Sequence, residues 1–141
     1  MKYKHKINRK IRVFVEYELF QYKTHKKLLR NLEESMFPKI TPTLSFAGGG
    51  GNASSTTENA AIRLATNHRI EYLKNSIDAI ETVLGRSDDI VKELIKLVYF
   101  DNRFTVTAAS YEVHCGKTMA YELINDFLYI LASEMGLIDS E

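Results

Sequence analysis

One cysteine, two prolines and no tryptophan occur in 141 residues, and nowhere do about 18 apolar residues run together. The lone Cys115 excludes an intramolecular disulfide and leaves no thiolate partner for a zinc site, so a reducing, cytoplasmic setting is expected. Without a long apolar stretch no membrane span is expected, and the basic residues Met1 to Lys10 lack the uncharged apolar run that follows in an export signal. The histidines at 5, 25, 68 and 114 are scattered, and none has metal-ligand spacing. His114 beside Cys115 is not read as a nucleophile pair, because neighbours at a turn do not point at each other and no third group orients the imidazole. Cys115 is expected to be a small core residue, and neither metal, cofactor nor catalysis is expected.

What the chain does carry is a steep charge gradient hidden under a net charge of +1. Residues 1–30 hold ten Lys/Arg against Glu16 and Glu18, a surplus of eight; the remainder holds nine against sixteen carboxylates, a deficit of seven. A basic segment on an acidic body is one footprint of phosphate contact, since displaced counterions gain entropy. The same cations could equally form a solvated face or dock on the acidic part of a neighbouring subunit.

Apolar residues at Ile11, Val15, Leu19, Tyr22, Leu29, Leu32 and Met36 fall at helical steps and predict a long amphipathic helix from Asn8 to Phe37, with Lys26 as a polar interruption. Ile11, Val13, Val15, Tyr17 and Leu19 also alternate as a strand would. Pro38 and Pro42 stop the pattern, and residues 45–57 (SFAGGGGNASSTT) read as a linker. Their four glycines lack the lysine of a phosphate-cradling loop, so nucleotide binding is not expected. Ser55 to Glu58 reads as a capping box opening the next helix. Inside that helix Ile70, Leu73, Ile77, Ile80 and Leu84 form a short heptad seam before Gly85 closes it, suited to core packing or, less commonly, to pairing between copies. Ser87-Asp88-Asp89 then opens a nearly all-round apolar helix, Ile90 to Phe100, which demands burial.

The last third holds the most specific pattern. Thr105 can cap a short helix ending at Val113, the turn Val113-His114-Cys115-Gly116 follows, and a longer helix runs from about Lys117 to Met135, with Gly136 as its stop. Two helices joined by such a turn form the unit that places a second helix in the major groove. Ala108, Ala109 and Ser110 are small enough for a close helix contact. Ala120, Leu123, Ile124, Phe127, Leu128 and Leu131 are expected to face inward, leaving Lys117, Thr118, Tyr121, Glu122 and Asn125 outside near the helix start.

Several segments in order carry a resemblance: Gly48-Gly49-Gly50-Gly51-Asn52, Thr57-Glu58-Asn59-Ala60-Ala61-Ile62-Arg63-Leu64, Ile95-Lys96-Leu97-Val98-Tyr99-Phe100, Ala120-Tyr121 and Met135-Gly136-Leu137. Together they resemble the phage late-transcription regulators of the RinA/ArpU type, whose terminal part is similar to the promoter-reading helix-turn-helix of bacterial sigma factors. Glu122 stands where that family commonly has Arg, and His114-Cys115-Gly116 replaces its usual turn. The resemblance implies a DNA-binding activator of phage late operons, inside the host bacterial cell, without catalysis.

Taken together, an all-α fold is expected: a long N-terminal helical hairpin (residues 1–84, with linker 45–57) and a C-terminal three-helix helix-turn-helix domain (87–141). Lys117, Thr118, Tyr121, Glu122 and Asn125 are the expected base-reading residues. Lys4, Lys6, Arg9, Lys10, Lys26, Lys27 and Arg103 are expected on phosphate, with Lys92 and Lys96 as further candidates. Double-stranded DNA is the expected partner, with RNA polymerase and a homodimer or higher oligomer through the hairpin as others. Two further readings stay open: a phage small terminase subunit, which predicts a ring, and a protein-interaction adapter whose acidic terminal part contacts RNA polymerase.

Overall fold

Asn8 begins the first helix because its side chain accepts the Lys10 backbone N–H at 2.7 Å, satisfying one of the donors a helix start leaves unpaired. In a computed structural model, which describes residues 6–36 and 53–139, that helix is α1 (Arg9–Phe20). Gln21 interrupts it without redirecting the chain, its N–H still bonding to Tyr17 O and its carbonyl to His25 N, and α2 (Tyr22–Met36) continues. The helical reading of Ile11 to Leu19 therefore wins over strand alternation. Lys4 and residues 45–52 of the expected linker lie outside the described residues.

α3 (Ala53–Gly85) starts two residues before the expected capping box, so Ser55 to Glu58 lie inside its first turns and residues 53–57 are helix, not linker. Leu73, Ile77 and Ile80 of its heptad seam are buried within the chain, and α3 packs on both α2 and the last helix. Gly85 ends α3 without a left-handed backbone. Ser87 bonds back to the Val83 carbonyl at 2.8 Å, leaving Asp88 as the cap residue of α4 (Asp89–Ile95). Lys96–Phe100 widens into a π-turn, closed by Asp101 N–H bonding to Lys96 O at 2.8 Å; this insertion was not anticipated. Of the apolar run expected to be wholly buried, Ile90 stays exposed.

α5 (Val106–Glu112) and α6 (Lys117–Glu134) complete the chain, and the described residues are entirely helical or connecting, with no strand. One hydrophobic cluster unites Val15 and Leu19 of α1, Ile80 and Val83 of α3, Leu94 and Ile95 of α4, and Ile124, Leu128 and Leu131 of α6. It draws on both sides of residues 84–87, where a domain boundary was expected. From Arg9 onward the basic segment is thus a packed helix: Val15 and Leu19 are fully buried, Arg12 is half-buried against α6, and Arg9, Lys10, Lys23, Lys26, Lys27 and Arg30 are exposed.

Arg12 meets Asn125 at 3.0 Å, whereas Phe14 and Glu18, further along α1, share a groove with Glu134, Met135 and Leu137 at the far end of α6. The two helices therefore run in the same sense, and their N-termini lie at one end of the pair.

Candidate nucleic-acid interface

The expected cap of α5 is present: Thr105 Oγ1 accepts the Ala108 N–H at 3.1 Å. At the other end Cys115 N–H reaches Ser110 O at 3.0 Å and His114 N–H reaches Tyr111 O at 3.2 Å, a Schellman closure with His114 in the left-handed position at φ 58°. Sequence reasoning would give that position to glycine, yet Gly116 is extended at φ −70° and caps α6 instead. A β-carbon in left-handed backbone costs about 1 kcal/mol. His114→Gly is expected to raise stability by about that amount, read as a higher urea midpoint at unchanged slope. At Gly136, φ 78°, the same closure ends α6 with the residue type it favours.

Buried Ala109, Ser110 and Ala120 let α5 and α6 approach closely. The inward stripe of α6 is as expected, with Ile124, Phe127, Leu128 and Leu131 buried and Leu123 half-buried. On its outer side Lys117, Thr118 and Tyr121 are exposed and Glu122 is half-buried. Asn125 departs from the expectation. It is only 4 % exposed, and its Oδ1 accepts from Arg12 Nη1. Packing of α1 on α6 closes this position, so Asn125 does not stand on the outer face.

Asn125 belongs to a polar chain that sequence reasoning missed. Arg12, held to Asn125, lies 3.6 Å from Glu16, whose carboxylate accepts the Tyr99 hydroxyl at 2.7 Å. The chain ties α6 through α1 to the π-turn. Burial, then the Glu16 hydrogen bond and charge, push the Tyr99 phenol well above its ordinary value, and burial with Glu18 and with Glu81 does the same for Tyr72 and Tyr22. A phenol pKa raised by folding adds stability that is complete below the unfolded value of about 10 and is lost as pH rises toward the folded one. The melting temperature is therefore expected to fall progressively above about pH 10, and Tyr99→Phe to flatten that fall, in thermal scans across the alkaline range.

Among the expected phosphate cations, Lys6, Arg9, Lys10 and Lys27 are exposed and make no ion pair among the described residues. Lys6, Arg9 and Lys10 sit at the N-terminal end of α1, which the shared sense of the helices places toward the start of α6. Lys26 is exposed but engaged, 3.4 Å from Glu81 and over the Tyr22 ring at 5.2 Å. Arg103 is exposed after the π-turn, near Asp101, whose carboxyl is held below its ordinary value chiefly by the hydrogen bond from Lys23. Lys92 and Lys96 are exposed on α4 and the π-turn.

A second polar cluster also escaped the sequence reading. Glu18, fully buried, accepts hydrogen bonds from Tyr72 and Ser76, with His25 Nδ1 3.7 Å away, itself buried and without a hydrogen bond among the described residues. A signal was present: Glu18 and His25 fall at steps of 3 and 4 within the series Ile11, Val15, Tyr22, Leu29. No group of three or more His, Cys, Asp or Glu among the described residues could hold a metal ion, and no described helix is long and apolar enough to cross a membrane. The chain matches no family model, no characterised protein and no solved structure.

Proposed function

We propose that this chain is a sequence-specific, double-stranded DNA-binding transcriptional regulator of the phage late-gene kind, acting by occupancy and not by chemistry. The observation that carries the reading is the pairing of two features at one end of the molecule. The first turns of α6 leave Lys117, Thr118 and Tyr121 open, and Lys6, Arg9 and Lys10, exposed and in no ion pair among the described residues, precede Arg12, the α1 residue that reaches Asn125 of α6. In this reading the four-residue turn makes α5 and α6 a helix-turn-helix, α4 with the π-turn its third helix, and α2 with α3 the hairpin behind it. Thr118, Tyr121 and Glu122 read base edges, Glu122 being suited to accept from cytosine, while Lys117 and the α1 cations position the backbone.

Affinity then depends on salt through the number of phosphates neutralised, at about −0.9 in the log-log slope for each. A labelled late-promoter fragment is expected to shift at low salt, and replacing Lys6, Arg9 and Lys10 together by alanine to flatten the slope by roughly 2.7. Thr118→Ala is expected to relax sequence preference at a cost of about 1–3 kcal/mol. Absence of any shift at low salt sinks the reading.

One observation favours the adapter instead. Tyr111, Met119 and Tyr121 are 71 %, 50 % and 37 % exposed around the turn, and between Gly116 and Leu137 one lysine meets Glu122, Asp126 and Glu134. Exposed aromatic and methionine side chains on an acidic surface suit a protein partner such as RNA polymerase. Co-purification of a protein partner with no DNA shift selects that alternative.

A further inference from the structure

A groove of about 470 Å³ opens at the far end of α6, between α1, α3 and the α6 C-terminus. Its polar lining includes Glu18, Asp78 and Glu134 and no Lys, Arg or His; Phe14, Tyr72, Met135 and Leu137 supply apolar and aromatic wall. Glu18 is occupied by Tyr72 and Ser76, and Glu134 lies 3.4 Å from Arg86, while Asp78 is exposed and makes no ion pair among the described residues. Such a wall suits a cation on an apolar stem, because the stem packs on the apolar and aromatic side chains while the charge meets the open carboxylate of Asp78 and adds to the partly exposed Glu134.

We propose that this groove binds the basic N-terminal edge of α1, Lys6, Arg9 and Lys10, from a second copy of the chain. Charge complementarity is built into the sequence, with a surplus of eight cations in residues 1–30 and a deficit of seven in the rest. The three side chains are exposed and without an ion pair among the described residues. They cannot fill their own groove. The nearest α1 residue on the groove wall, Phe14, lies four residues beyond Lys10; Arg12, nearer still to these cations, meets Asn125, nine residues or about 14 Å along α6 before Glu134; and side chains on a helix lean toward its N-terminus, away from the groove. The donor must therefore be another molecule, and a reciprocal exchange closes a dimer.

The test uses the full chain in sedimentation velocity at low salt, without DNA. The same cations are assigned above to phosphate, so omitting DNA keeps a failure here distinct from a failure of the DNA reading. The wild-type chain is expected to self-associate as concentration rises and to dissociate with salt. A groove-reversed variant (Asp78→Lys with Glu134→Lys) and an edge-reversed variant (Lys6→Glu, Arg9→Glu and Lys10→Glu) are each expected to associate at least tenfold more weakly. All five positions are exposed, and far-UV circular dichroism checks that both variants fold. Mixed together, the two variants should associate again, because each edge then meets a groove of opposite charge. A wild-type chain that stays monomeric to millimolar concentration overturns the proposal. So does association indifferent to the groove reversal, a mixture that fails to associate, or a groove that takes up an added basic peptide while the chain itself stays monomeric.

Discussion

Leu19→Ala is expected to destabilise the molecule by about 3 kcal/mol, lowering its melting temperature by roughly 10 °C. Leu19 is fully buried and belongs to the same cluster as Ile80, Leu94, Leu128 and Leu131. Truncating it removes transfer energy and leaves a cavity that helices fixed on several sides cannot collapse to fill. The informative readout is cooperativity. Because the cluster joins α1 to α6, a probe in α6, such as the fluorescence of a tryptophan placed at exposed Tyr121, should report the same lowered midpoint as far-UV circular dichroism of the whole chain. If the C-terminal helices kept the wild-type midpoint while α1 melted, α1 would be a detachable arm and the packing described above would be wrong.

Glu18→Ala should cost about as much, for an electrostatic reason. The Glu18 carboxylate is fully buried, and the Tyr72 and Ser76 hydroxyls both donate to it. Removing the acceptor strands two donors, one of them on buried Ser76, and opens a polar void between α1 and α3. A loss of about 3 kcal/mol is expected, by urea denaturation. Glu18→Gln keeps an acceptor oxygen in nearly the same volume and should lose about 1 kcal/mol. Equal and small losses from both substitutions would mean that water, not Tyr72 and Ser76, satisfies this carboxylate.

These two residues mark where a reading of periodicity stops. Helical spacing of apolar residues marks Leu19 as apolar face, gives no sign of Glu18, and makes Lys26 the polar interruption of the seam. The chain instead buries His25, at 7 % exposure, and leaves Lys26 outside against Glu81. Apolar spacing identifies the side of a helix to within about a residue, and a polar residue inside that stripe is discounted because its burial alone is unfavourable. Glu18 becomes tolerable only when α3 brings Tyr72 and Ser76, from more than fifty positions away. Asn125 follows the same logic. On an isolated α6 it flanks the apolar stripe and reads as exposed; α1 lies over it and Arg12 reaches its carbonyl oxygen.

Local chemistry alone settled a good deal: the helical character of every described element, the Thr105 cap, the inward stripe of α6 and the stop at Gly136, because each follows from side-chain spacing or from hydrogen bonds a few residues apart. Long-range packing settled the rest. It merged both sides of residues 84–87 into one core, turned Asn125 inward, left α6's first turns open and made the basic segment from Arg9 a docked helix. Burial depends on which distant helix arrives against a face, and no spacing within one segment encodes that.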